Sequence, residues 1–271
     1  MSAPKVSVLL CCYQAAHTLP LAIASLRAQT FCDWECILVD DGSSDDLTHL
    51  LQALNPSQFR TFRLAQNHGR GFAHGFALQQ AGGEYVCTLD ADDWIYAHKL
   101  QSQVDYLDSH PDVSVVGTGV ALVRDDHTLA GVNLHPTKFG LATAMMRTLE
   151  AREVGYDPQF RRSHDFDFFH RLLPGCRHAV LPSVTYAYYY QNGTSARVVR
   201  EGLSYNLQTF RKRLCWEHMV RAGVCQMKIW VYSLLEKAGL WESYQQLRRP
   251  PVPQAEIENF HRAFARVRQF C

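Results

Sequence analysis

Glu84 to Trp94 reads EYVCTLDADDW, an apolar run of strand length that ends in three carboxylates, Asp90, Asp92 and Asp93. Ending a strand takes one turn residue. Three acids within four residues repel one another, so a positive charge is expected beside them. Acids past the end of a buried strand present oxygens to a divalent cation, and oxygen ligands suit Mg2+ or Mn2+. The plain alternative is that Asp92 or Asp93 caps the next helix.

Outward from this strand the pattern repeats. Lys5–Tyr13 (KVSVLLCCY) is a continuous apolar run, as expected of a strand covered on both faces. His17 and Thr18 are placed to cap a helix over Leu19–Gln29, whose Leu19, Ile23 and Leu26 follow helical spacing. Trp34–Asp46 (WECILVDDGSSDD) is a second strand that runs into acids and a Gly-Ser turn, with Asp45 and Asp46 placed to cap a helix over Leu47–Leu54. Arg60–Ala65 is a third strand. Asn67–Gly75 is a Gly-rich connection into a helix ending near Gln80, and Ala97–His110 is an amphipathic helix. Further strands are expected over Val113–Val123, Ala142–Arg147 and from Ala179, and a helix over Arg161–Leu173.

Strands alternating with helices predict an α/β fold with a mainly parallel, Rossmann-like sheet flanked by helices. Ligands bind such sheets beyond the carboxyl ends of the strands. Tyr13, Asp40 with Asp41, and Asp90 to Asp93 all fall there. A carboxylate at position 40 suits a hydrogen bond from a base or ribose edge; its plain alternative is a turn.

Of the 271 residues, 47% are hydrophobic and the net charge is +1, which gives no general bias toward nucleic acid. Residues 1–199 carry 15 basic and 20 acidic side chains, whereas residues 200–271 carry 12 and 6. This shift sets the expected division: a catalytic domain over 1–199 and a basic, helical C-terminal region over 200–271. Within the latter, Arg211–Arg221 (RKRLCWEHMVR) fits either a helix packed on the body or peripheral contact with an anionic membrane. Met1–Lys5 shows no charged leader, and no run approaches the roughly 20 apolar residues of a membrane span. The nine cysteines include no paired CxxC. The expectation is a cytoplasmic protein with reduced thiols, peripheral at most on the inner face of the membrane.

Three segments in order, Val6–Asp45, Asn67–Asp93 and Gly155–Leu172 (GYDPQFRRSHDFDFFHRL), resemble the family 2 inverting glycosyltransferases of the GT-A fold, over about residues 5–197. The resemblance implies a nucleotide-sugar donor, expected to be UDP-linked, a saccharide or lipid-linked saccharide acceptor, and Mn2+ or Mg2+. It implies that Tyr13 packs on the base and Asp40 binds it. Asp90 lies near ribose and metal, Asp92 ligates the metal with Asp93 close by, and Asp165 is the general base. Asp167 is a lesser candidate for the same task.

Three positions depart from the family pattern. His164 stands where a Glu usually precedes the base, and His74, a candidate for the donor phosphate, stands in place of Arg in an Ala-Arg-Asn triplet. Gln191 stands where many members have a histidine that helps hold metal or pyrophosphate, with Ser195 and Arg197 as candidate pyrophosphate contacts in its stead. A catalytically silent nucleotide-sugar-binding protein and a sugar nucleotidyltransferase are the competing readings. The second expects a Gly-rich, basic loop after the first strand, and CCYQAAHTLP has neither.

Overall fold

The computed structural model describes residues 3–134, 140–189, 196–211, 216–241 and 252–271. One mixed sheet organises the chain. Its parallel half comprises β1 (Val6–Cys12), β2 (Trp34–Asp40), β3 (Phe59–Arg63) and β4 (Tyr85–Thr88), side by side as β3-β2-β1-β4. The apolar runs explain β1 and β2: every β2 residue is buried, and so is all of β1 except Cys11. The connections are α1 (Leu19–Arg27), α2 (Thr48–Gln52) and α3 (Arg70–Gln80).

Beyond β4 the sheet turns mixed, a change that the alternating pattern does not show. β8 (Met145–Arg147) runs antiparallel to β4 and to β6 (Val115–Val123), and β9 (His178–Tyr189) returns parallel to β6. β7 (Leu129–Asn133) pairs antiparallel with β6, and the two-residue β5 (Trp94–Ile95) with β9. Helices α4 (Lys99–Ser109), α5 (Thr148–Val154) and α6 (His164–Leu172) complete this part. The strand expected over Ala142–Arg147 is shorter, because Leu141–Thr143 forms a single 3-10 turn.

Two capping expectations are corrected. Asp46 does accept the Thr48 N–H at 2.9 Å, but Asp45 turns back to accept the Ala16 N–H at 2.7 Å. It stitches the β1–α1 loop to the β2–α2 loop instead of capping. Thr18 sits at the N-cap of α1, yet its hydroxyl makes no capping bond.

The C-terminal helices are α7 (Ala196–Arg211), α8 (Trp216–Lys237) and α9 (Gln254–Arg268). α9 enters the core. Phe260 and Val267 are fully buried with Trp94, Tyr96, Ala24 and Ala28, and the Phe260 and Phe264 rings each lie 5.6 Å from that of Trp94. This helix therefore braces the strand that directly follows the acidic triplet.

Candidate active site

The parallel register places the acids. Cys12 pairs with Asp40 across β1 and β2, and Leu9 with Thr88 across β1 and β4. Two residues beyond Thr88, Asp90 therefore lies on the opposite flank of the β1 end from Asp40. Tyr13 follows directly between them, half exposed. Backbone strain concentrates here: of three non-glycine residues with positive φ among the described residues, Gln14 (55°) follows Tyr13 and Ser163 (53°) precedes His164.

The doublet at the end of β2 divides its labour. Asp41 is spent on structure, accepting the His68 and Gly69 N–H groups at 2.9 and 2.8 Å and so fixing the entry to α3. Asp40 is wholly buried. Its Oδ1 accepts the Ser43 N–H at 2.9 Å. Its Oδ2 lies 3.4 Å from Arg63 Nε and accepts no hydrogen bond among the described residues. Gly42 makes this turn feasible: its φ is +72°, and a Cβ there would stand 2.4 Å from the Gln66 carbonyl carbon.

The acidic triplet also divides. Asp93 is buried and anchored to β9, Oδ2 accepting the Tyr186 hydroxyl and Oδ1 the Tyr189 N–H, both at 2.8 Å. The same Tyr186 oxygen accepts the Asp90 N–H at 3.2 Å. Asp90 is half-buried and Asp92 exposed. Oxygens of all three lie within 4.8 Å of one another, the one such group of His, Cys, Asp or Glu among the described residues. An all-oxygen set of this kind fits a hard divalent cation. Burial, then Asp90 and Asp92, push the Asp93 carboxyl well above the ordinary range, and the Tyr189 and Tyr186 bonds oppose this. Burial raises Asp90 as well, with Arg70 opposing and Asp92 adding.

Arg70, the first residue of α3, is a protein-borne answer to the positive charge that the acids demand. Its recess disfavours the charge, but Asp90, Asp92, Tyr188 and Asp165 raise its pKa above the ordinary arginine value. Sequence reasoning passed over Arg70, though it lies one helical turn before His74. Tyr186 was also missed. Its signal was weak: alternation in YAYYY sets positions 186 and 188 on one face of β9.

Asp165 lies in the first turn of α6, half-buried. Burial raises its pKa, the Phe166 N–H opposes, Asp90 adds to the rise and Arg70 opposes. Asp165 and Asp90 thus act on the same arginine and on each other. Asp167 is committed elsewhere: its Oδ2 accepts Arg171 Nε at 2.9 Å, and Arg171 Nη2 donates to the Gly155 carbonyl at 2.7 Å. His74 and His164 are both buried, their ring centroids 4.5 Å apart. Gln191 and Ser195 lie outside the described residues, as does the side chain of Arg197.

A model of the family described as "Glycosyl transferase family 2" matches residues 7–165. The chain belongs to glycosyltransferase family 2. It is a transferase enzyme, and the nucleotidyltransferase and silent-binder readings fall away. Among curated relatives of this glycosyltransferase, the putative glycosyltransferase EpsE of Bacillus subtilis is 32% identical over 64% of this chain and 68% of its own length. The UDP-Glc:alpha-D-GlcNAc-diphosphoundecaprenol beta-1,3-glucosyltransferase WfgD of Escherichia coli is 31% identical over 38% of this chain. The chain spans only 40% of that relative.

Two solved structures share the GT-A fold. The mannosyltransferase PcManGT of Pyrobaculum calidifontis, in complex with GDP-Man and Mn2+, aligns at a TM-score of 0.65 and 14% identity, over 99% of this chain and 86% of its own. S. aureus TarS 1–349 in complex with UDP-GlcNAc aligns at 0.59 and 18%, over 98% and 89%. At these identities the likeness speaks of the fold alone.

Proposed function

We propose that the protein moves a sugar from a UDP-linked donor to a hydroxyl of a saccharide or lipid-linked saccharide by a single, inverting displacement. The observation that carries this reading is the joint presence, at one sheet edge, of an unsatisfied buried acceptor (Asp40 Oδ2), a cation-ready acidic cluster and a separate acid with raised pKa (Asp165). These are the needs of a base, a diphosphate and an acceptor hydroxyl respectively. The UDP-linked activity in the name of WfgD and the UDP-GlcNAc complex of TarS support the donor class. The diphosphoundecaprenol in the name of WfgD supports a lipid-linked acceptor.

In this reading Tyr13 offers its half-exposed ring to the uracil face, and Asp40 Oδ2 accepts from its edge. Asp90 and Asp92 hold the divalent cation, Asp93 serving chiefly as their anchor on β9; PcManGT with Mn2+ is the supporting precedent. Such a cation supplies electrostatic stabilisation of a departing diphosphate. Arg70, with a charge secured by its acidic neighbours, adds to that stabilisation from the start of α3. His74 is set back from the phosphates, buried with Nδ1 2.9 Å from the Arg70 carbonyl. Asp165 takes the proton of the attacking hydroxyl, and no covalent nucleophile is required. Residues 1–199 carry all of these groups, and residues 200–271 supply support and a docking surface.

Calorimetric titration with UDP in the presence of Mn2+ tests the donor site. The parent is expected to bind, and Tyr13→Ala to weaken binding about tenfold, since base–aromatic stacking contributes about 1–3 kcal/mol. Absence of UDP binding, or equal affinity in the variant, would count against the assignment.

We further propose that α8 carries the membrane contact. Of the expected stretch Arg211–Arg221, residues 212–215 and the side chains through Val220 lie outside the described residues. The next turns are informative. Val224, Met227, Trp230, Val231 and Leu234 are exposed and follow helical spacing. Arg221 and Lys228 border this face on one side and Lys237 on the other, an arrangement that suits an anionic lipid surface. A second copy would meet the same basic border, with no acid among the described residues of that face to pair with it. No described helix is long and apolar enough to cross a membrane. The protein is expected to co-sediment with phosphatidylglycerol vesicles and not with phosphatidylcholine ones. Met227→Glu with Trp230→Glu should abolish this and leave UDP affinity unchanged. A parent that ignores both vesicles but is a dimer, dissociated by the same pair, would overturn the assignment.

A further inference from the structure

Two of the departures from the family pattern, His74 and His164, meet in space although 90 positions separate them. Their ring centroids stand 4.5 Å apart with planes at 38°. Both are buried, at 2% and 6% exposure. His74 Nδ1 lies 2.9 Å from the Arg70 carbonyl, so it carries the proton and donates; Nε2 is then a bare acceptor with no partner. Neither nitrogen of His164 has a hydrogen-bond partner among the described residues. Tyr156 closes the cluster, its ring 5.6 and 5.8 Å from the two imidazoles and stacked on Phe168 at 4.5 Å.

Position gives this contact its meaning. His74 lies on α3, one turn beyond Arg70. His164 opens α6, directly after the left-handed Ser163 and directly before Asp165. The charged groups that act on the pair are Arg70 and, on His74, Asp165 and Asp41. Among the described contacts, no charged side chain of these residues is hydrogen-bonded to an imidazole nitrogen; Arg70 meets His74 only through its backbone carbonyl. A charge on one ring alone would be buried without a counter-ion, and burying an unpaired charge is strongly unfavourable. Burial accordingly pushes His74 down to about 4 and His164 well below the ordinary histidine range.

We infer that His74 and His164 act as one neutral unit that locks α6 to α3 and thereby sets Asp165 relative to Arg70 and Asp90. They are positioning residues. The inference rests on the reading of Asp165 as the base. Its physical content is coupling: a charge at either position is tolerated only with the opposite charge at the other. The resemblance sets an Arg and a Glu, two opposite charges, where this chain has two neutral rings in contact.

A double-mutant cycle tests this. His74→Arg and His164→Glu are each expected to lower the thermal midpoint by about 8 °C or more, the effect of an uncompensated buried charge in a chain of this size. The double variant should recover most of the loss. An additive double variant would overturn the coupling. Neutral His164→Gln and His74→Gln guard against singles that fail to fold. Assayed by hydrolysis of UDP-N-acetylglucosamine and UDP-glucose with Mn2+, each should lower kcat about tenfold while UDP affinity stays within about twofold, because the donor pocket is untouched and the base is displaced. A purely structural pair would lower the midpoint and leave kcat per folded molecule unchanged, which would overturn the positioning role. Asp165→Asn separates the two layers. If that variant keeps full turnover, the base assignment falls. If it loses turnover while the cycle is additive, only the coupling falls.

Discussion

Asp165→Asn is expected to lower turnover by at least about 100-fold while UDP binds as it does to the parent, since a positioned general base contributes about 100- to 10,000-fold. The asparagine is nearly isosteric and cannot accept the acceptor's proton. Burial already penalises the ionised Asp165, so the variant should melt no lower than the parent. The parent should also show an acid limb in its rate profile. Only the ionised carboxylate is a base, and burial, with Asp90 adding, sets its pKa above the ordinary value. Activity is therefore present above that raised pKa and is lost as pH falls through it. An Asp165→Asn variant with full turnover would remove the base from the mechanism, and a parent rate flat to below pH 4 would do the same.

How much of this could be read from residues alone depends on the range of each interaction. The parallel half was legible because a buried strand leaves a continuous apolar run, and VSVLLCC and WECILVD are such runs. β5 was not, since two residues make no pattern; Trp94 and Ile95 form a strand only because β9 arrives beside them. The antiparallel turns of β7 and β8 were likewise set by pairing with β6, not by local sequence.

The same division holds at the site. The acids announced themselves by mutual repulsion at a strand end. Which of Asp40 and Asp41 keeps a bare oxygen is decided by the backbone of His68 and Gly69, some 27 positions on. Arg70 meets Asp90 only through the fold. That Asp93 is also anchored to β9 depends on Tyr186, 93 positions away. Short-range chemistry was readable, and the allocation of each lone pair was not.

The cation prediction follows from that allocation and has the second large effect. In metal-free protein, Asp90, Asp92 and Asp93 set their carboxylates within 4.8 Å of one another, with Arg70 offsetting them among the described residues. The fold bears this as a stability cost. Asp92→Asn removes one charge from the exposed edge of the cluster. In EDTA the variant should therefore melt at or above the parent. Saturating Mn2+ should raise the parent midpoint by about 5 °C, because a ligand at 100 times its Kd stabilises by about 2.7 kcal/mol. The variant should show little of that increment, and its turnover should fall at least about 100-fold. A destabilised metal-free variant would mean that Asp92 holds the fold together. A parent that gains nothing from Mn2+ or Mg2+ would take the cation out of the mechanism, which would then rest on Arg70 among the described residues.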